Sequence, residues 1–317
     1  MSNQTDILQF DSADMVRKLC GANHANLALI EEAFDVYLEA PGSSIHINGD
    51  RPSRARATEL VREIYSRLER GWPCGASDIR ALIRAIGDGK VKAAKADAII
   101  PFPRRAPIVP KTPRQETFIQ SLQNSTINFG VGPAGTGKTF LATAYGASLL
   151  ARGEVARFVA CRPAVDAGER LGFLPGDFNE KVDPYMQPIW DALNFVLGRE
   201  DVERRRASGE IEVVPVAFMR GRTLSDAFVV IDEAQNATVT QMKMILTRLG
   251  ERAKYAVTGD PGQSDLPRGV DSGLGHALGI LQNIKGIETT TFLPSDVVRH
   301  PLVGKIVNAY EKDAKRL

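Results

Sequence analysis

A chain of 317 residues, 43% hydrophobic and 25% charged, has the makeup of a folded globular protein long enough for about two domains. Its formal charge of +2 excludes a globally basic nucleic-acid binder, so any contact with nucleic acid has to be local. Cys20, Cys74 and Cys161 stand too far apart for a CxxC pair or a zinc cluster and read as free thiols. Neither a signal peptide at MSNQTDILQF nor an apolar run of about 18 residues is evident, so a cytoplasmic protein is expected, with no membrane partner.

From the N-terminus the pattern predicts helix, helix, strand, strand, helix. Ser12 to Cys20 and Asn26 to Phe34 are the two helices. Val36 to Glu39 and Ser44 to Ile47 alternate as strands around Pro41 and Gly42, and Arg56 to Arg67 closes the unit as an amphipathic helix. This small α/β pattern resembles the minimal KH RNA-binding module, in which a GxxG turn between two helices grips the nucleic-acid backbone. Gly21-Ala22-Asn23-His24 stands at that turn, with His24 where the second glycine is expected. Gly21 is the candidate RNA contact, against a purely structural role for the unit.

After a further helix from Ala76 to Ile86, the prolines Pro101, Pro103, Pro107, Pro110 and Pro113 crowd one stretch. Proline removes backbone donors and fixes φ, so the segment is expected to run extended, not helical. The division expected is an accessory domain over 1–97, a linker over 98–114 and a second domain over 115–317. Arg104, Arg105, Lys111 and Arg114 read either as a solvated linker surface or as a strip that touches phosphates.

From Thr126 the pattern becomes repeated β-α units. A strand, Thr126 to Val131, leads into Gly132-Pro133-Ala134-Gly135-Thr136-Gly137-Lys138-Thr139, followed by a helix over Phe140 to Leu150. This completes G-x-x-x-x-G-K-[ST]: the glycines let successive N–H groups curl around an anion, and the helix end adds its positive dipole. Lys138 is expected to reach the β and γ phosphates and Thr139 to ligate Mg²⁺, with Gly132 to Phe140 as the nucleotide-binding run.

The apolar strand Ala227 to Ile231 reads as buried on both faces of a parallel sheet and ends in Asp232-Glu233. There Asp232 is expected to hold Mg²⁺ and Glu233 to polarise a water, with helix capping as the alternative. Strand Tyr255 to Thr258 ends in Thr258-Gly259-Asp260, with Gln263 close behind. Thr258, Asp260 and Gln263 are candidate sensors of the γ phosphate, or an ordinary Gly-Asp-Pro-Gly turn. Gln115, where helicase-like proteins place an adenine-reading glutamine, favours ATP over GTP.

Together, TPRQETFIQ, GPAGTGKT, RPAVDAGERLGFLPGDFNEKVDPY, GRTLSDAFVVIDEAQNAT, KMILTRLG, TGDPGQSDLP and FLPSDVVRHPLV, spread over Thr112 to Val303, resemble the bacterial PhoH-like ATPases. The core of that family is similar to the first RecA-like domain of superfamily 1 helicases. The resemblance implies an α/β, P-loop RecA-like parallel sheet flanked by helices, with the small KH-like domain before it. It also implies ATP hydrolysis linked to RNA, and association with an endoribonuclease that matures ribosomal RNA. Pro261-Gly262-Gln263-Ser264 departs from the bulkier residues more usual around that glutamine.

One RecA-like unit lacks the arginine that a second unit supplies in full helicases, so a homo-oligomer, such as a closed hexameric ring, is expected to provide it. Arg299 is the candidate finger, with a surface ion pair as its alternative, and Arg268 is the runner-up. The loop from Arg162 through Phe173 to Lys181 offers a cation and an aromatic to an RNA strand, although Phe173 reads equally as a buried anchor. The leading function is an RNA-coupled, Mg²⁺-dependent ATPase that remodels or unwinds RNA. A nucleotide-gated RNA adaptor that recruits a nuclease shares every motif, and Glu233 beside Asp232 counts against a small-molecule kinase.

Overall fold

The computed structural model describes residues 4–72, 74–87, 99–103, 105–163, 186–267 and 269–298. The chain divides into two compact units, one comprising Met1–Ile99 with Ala106–Pro113, the other Ile100–Arg105 with Arg114–Leu317. Among the described residues, no helix is long and apolar enough to cross a membrane.

The first unit carries strands β1 (Gln4–Gln9), β2 (Tyr37–Glu39) and β3 (Ser44–Gly49) in an antiparallel sheet of order β1-β3-β2. Helices Ala13–Cys20, Ala25–Phe34, Arg51–Glu69 and Ala76–Gly87 bury Val16, Leu19, Ile30, Leu60 and Ile64 with Ile45 and Ile47 of the sheet in one core. β1 is absent from the sequence reading, because one buried residue, Leu8, leaves too weak an alternation to register. Arg51–Glu69 starts earlier than its apolar periodicity suggests. Asp50 caps it by accepting from the Ser53 amide at 2.7 Å, and Pro52 sits in the first turn, where its missing N–H costs nothing.

Asn23 and His24 both take left-handed backbone, at φ 50° and 59°, between the first two helices. His24 therefore adopts the conformation that a glycine would adopt there without steric cost. Asn26 Nδ2 donates to the Leu19 carbonyl at 2.9 Å and ties the second helix to the end of the first.

Within the proline-rich stretch, β4 (Ile100–Phe102) and β5 (Arg105–Ile108) are extended, as expected. The next helix, however, begins at Pro113, inside the stretch expected to be non-helical. Proline is tolerated at the first helical position, where no intrahelical donor is needed.

The second unit is built on a six-stranded parallel sheet of β6 (Ile127–Val131), β7 (Arg157–Arg162), β8 (Ile211–Pro215), β9 (Ala227–Ile231), β10 (Lys254–Gly259) and β11 (Ile287–Thr291). Its order is β11-β6-β10-β9-β7-β8. β10 thus lies between the strand that feeds the glycine-rich turn and the strand that ends in the acidic pair.

Side chains alternate between the two faces of each strand. Val159, Cys161, Val229, Ile231, Tyr255 and Val257 fill one core with Met242, Ile245 and Leu274, while Phe158 and Phe228, paired in register, stack at 6.4 Å on the other face. Cys161 is fully buried and free, and burial pushes its thiol up to about 12; Cys74, also free, is pushed up to about 11. The helix Lys138–Ala151 packs on the Phe158 and Phe228 face, and its close approach depends on Gly146. A Cβ there would stand 2.2 Å from Phe228 Cδ1 and 2.8 Å from Phe158 Cε2.

Overpacking such a contact costs about 1–3 kcal/mol. Gly146→Val is therefore expected to lower the urea midpoint of the second unit by at least that equivalent. An unchanged midpoint would show that the helix and sheet are not in this contact.

Candidate functional site

The site forms at the carboxyl ends of four adjacent strands, the place where parallel α/β sheets bind ligands. β6 runs into the glycine-rich turn. Gly132 has φ 132°, and a Cβ on it would meet the Phe292 carbonyl oxygen at 2.4 Å, so only glycine fits. The Gly132 amide donates to Gly259 O at 3.1 Å, and the Val298 amide donates to Gly135 O at 2.9 Å, tying the turn to the end of β10 and to the segment beyond β11.

Inside the turn the Lys138 ammonium donates to Gly132 O at 2.6 Å and Pro133 O at 2.8 Å. Gln115, buried on the helix Pro113–Asn124, donates from Nε2 to the Thr136 carbonyl at 2.9 Å, so it braces the turn from behind. Beneath it Phe118 packs edge-on against Phe292 at 5.6 Å and reaches the space that a side chain on Gly130 would need.

The acidic pair completes the arrangement. Asp232 is buried, and its Oδ1 accepts from the hydroxyls of Thr139 and Thr258, each at 2.7 Å. Arg162 at the end of β7 lies 4.0 Å from Asp232 Oδ2 and 3.4 Å from Glu233 Oε1. Glu233 sits in left-handed backbone at φ 51°, with its side chain 38% exposed. On its other side, Gln235 Nε2 donates to Glu233 Oε2 at 2.6 Å while Gln235 Oε1 accepts from the Asp260 amide at 3.0 Å. Gln235 thus couples the acidic loop to the end of β10. It is absent from the sequence reading, although it directly extends the Asp232-Glu233-Ala234 run.

The structure brings Gln115, Lys138, Thr139, Asp232, Glu233, Thr258 and Arg162 together. Asp260 opens a turn closed by Gln263 N donating to Asp260 O at 3.0 Å, with Gln263 itself exposed. Phe140 follows Thr139 and meets Phe195 edge-on at 5.7 Å. Gly21 lies in the first unit. Phe173, Lys181, Arg268 and Arg299 fall outside the described residues.

A hydroxyl one residue past the lysine, hydrogen-bonded to a buried carboxylate, is a donor set suited to a hard divalent cation with phosphate oxygens as further ligands. Lys138 and the turn's backbone suit the phosphates. The residues therefore fit Mg²⁺ and a nucleoside triphosphate.

A parallel sheet flanked by helices, with an additional strand between the glycine-turn strand and the acidic strand, defines a RecA-like fold. The family described as "PhoH-like protein" matches residues 107–311, and the chain belongs to that family. A PhoH-like protein of Bacillus subtilis is 41% identical over 302 residues, covering 94% of this chain and 95% of that protein. One of Synechocystis sp. is 40% identical over 315 residues, covering 98% and 96%. Protein PhoH of Escherichia coli K12 is 41% identical over 207 residues, covering 65% of this chain and 58% of that protein.

Thr258→Val removes one of the two hydroxyl donors to a buried carboxylate. A hydrogen bond to a charged group contributes about 1.5–3 kcal/mol. The variant is expected to lose stability of that order in chemical denaturation, whereas Thr258→Ser should retain most of it. Equal stability of the valine and serine variants would remove this bond from the account.

Proposed function

We propose that this chain is a Mg²⁺-dependent ATPase whose turnover is coupled to binding or remodelling RNA. The observation that carries the reading is the 2.7 Å bond between Thr139 and Asp232, which puts the end of the phosphate turn and the acidic strand at one point. Membership of the PhoH-like family supports an ATP-hydrolysing role.

In this reading the turn amides and Lys138 balance the charge of the phosphate tail. Thr139 and Asp232 would hold Mg²⁺, which supplies positive charge to the phosphate oxygens as charge builds toward the leaving diphosphate. Glu233 orients a water whose oxygen attacks the terminal phosphorus, and the water's proton passes to the carboxylate as the bond to the bridging oxygen breaks. Gln115 reads the adenine edge or, through its bond to Thr136, stiffens the turn; Gln263 senses the terminal phosphate. RNA contacts are assigned to Arg162 and Phe173, and to the Gly21–His24 turn of a KH-like first unit. The two helices joined by that turn on a three-stranded sheet support this last assignment.

A specific observation favours a second reading. Glu233 is engaged on both carboxylate oxygens, Oε1 by Arg162 at 3.4 Å and Oε2 by Gln235 at 2.6 Å, so an attacking water has to displace a partner before it meets the base. That supports a nucleotide-gated adaptor that binds RNA, recruits a ribosomal-RNA-maturing endoribonuclease and turns over slowly.

Hydrolysis measured with and without RNA separates the two. For the motor, Glu233→Gln should lower kcat by about 10²–10⁴-fold while nucleotide still binds, and RNA should stimulate the native chain but not the variant. Lys138→Ala should lose nucleotide binding itself. Slow turnover that is indifferent both to RNA and to Glu233→Gln sinks the motor and leaves the adaptor.

The homo-oligomer, proposed as a closed ring in which Arg299 acts across subunits, has its own test. Mixing Arg299→Ala with Lys138→Ala protein should restore activity that neither parent has. Failure to recover any activity removes the trans assignment.

A further inference from the structure

The helix Gln187–Leu197 buries Ile189, Trp190, Leu193 and Val196 yet leaves Phe195 65% exposed. An aromatic ring held this far into solvent gains little from folding. Its backbone is nevertheless anchored: Arg105 Nη1 donates to the Phe195 carbonyl at 3.1 Å, and a Cβ on the neighbouring Gly198 would meet Arg105 Nη2 at 2.5 Å.

Beside this anchor lies a cavity of about 650 Å³, lined by Phe102, Arg105, Val196, Asp201, Arg204 and Arg205 among others. All of these residues belong to the second unit.

The charges on this lining do not cancel. Asp201 accepts from both Arg204 and Arg205, and Arg205 also pairs with Glu210 at 2.5 Å. Burial raises the Asp201 carboxyl, but the two arginines outweigh it and hold the group below its ordinary range, so the acid remains ionised at neutral pH. Arg205 is thus compensated. Arg204 shares its one acid and stays 63% exposed, and Arg105 bonds only a neutral carbonyl, with no carboxylate partner among the described residues. The cavity therefore presents surplus guanidinium charge, and one of its arginines holds the backbone of the residue that carries the exposed ring, one helical position before the lining residue Val196.

An acidic peptide would use the guanidinium charge and leave the ring idle, and an apolar partner would bury unpaired guanidinium. A nucleotide chain satisfies both, with phosphate on the arginines and a base on the ring, the combination by which proteins hold single strands.

We propose that this face binds a segment of single-stranded RNA, its phosphates at Arg105 and Arg204 and one base stacked on Phe195. The proposal rests on the RNA-coupled reading above and adds where the strand lies, on a surface that adjoins the end of the nucleotide-binding run at Phe140. Through the edge contact of Phe195 with Phe140, a bound base would press directly on the helix that begins at Lys138.

The test uses the full chain and fluorescence anisotropy with two probes of equal length, a single-stranded RNA oligomer and an abasic strand of the same charge. Phe195→Ala should weaken the base-bearing strand about tenfold and leave the abasic strand unchanged. Arg105→Gln and Arg204→Gln should weaken both, and each should reduce the slope of log affinity against log salt by about 0.7. Melting midpoints of the variants serve as the folding control, and Phe195 is exposed enough for its truncation to leave the fold intact.

If the native chain binds RNA and all three variants bind it equally well, this site is overturned while the RNA-coupled reading survives. If the native chain binds neither probe, both fall. Displacement of the RNA by millimolar inorganic phosphate would mark a small-anion site and also overturn the proposal.

Discussion

One buried carboxylate organises the second unit. Asp232 Oδ1 accepts the Thr139 hydroxyl, from the start of the helix after β6, and the Thr258 hydroxyl, from β10, while Arg162 approaches Oδ2 from β7. Four neighbouring strands thus converge on a single side chain. A buried charge persists only when donors surround it, and removing one partner costs far more than the pair contributes. The spacing of the site is therefore set by the solvation demand of Asp232 as much as by the sheet.

Around that centre, packing does what charge cannot. Phe118, Phe292 and Gly132 form one stack in which the Phe292 carbonyl fills the space that a side chain at Gly132 would need. Arg114 then locks the segment after β11 by donating to Thr291 O at 2.7 Å and pairing with buried Asp296 at 3.3 Å. The glycine-rich turn is consequently braced by the helix just before β6 and by the segment after β11, the latter far from it in sequence. In the proposed function, such bracing would hold the turn in shape before a nucleotide arrives and so lower the ordering cost of binding.

Glu233 differs from its neighbour in a way that bears on chemistry. Asp232 is enclosed, whereas Glu233 stands partly in solvent on a left-handed residue, with Arg162 and Gln235 on either side. Two adjacent acids thereby acquire different surroundings, one suited to holding a cation and the other to meeting a water. Gln235 extends this division, because its amide joins Glu233 to the backbone at Asp260 and so links the proposed base to the proposed phosphate-sensing turn.

Local chemistry determined much of this protein from sequence alone. The run from Gly132 to Thr139 specifies its own tight turn between strand and helix, because its glycines supply the left-handed backbone that such a turn needs. Ala227 to Ile231 declares a strand covered on both faces because five apolar residues in a row admit little else in a parallel sheet. The family strings around both motifs were legible by resemblance, not by local chemistry.

Only the tertiary structure decided what depends on residues distant in the chain. β1 has too little apolar patterning to appear until β3 pairs with it. The helical start at Pro113 is hidden among prolines. Gln235 gains its meaning from Asp260, Arg162 from the acidic pair, and Phe195 from Arg105, 90 residues earlier. A hydrogen bond or ion pair between remote segments leaves no periodicity in sequence, so these relations exist only once the sheet has brought the strand ends together.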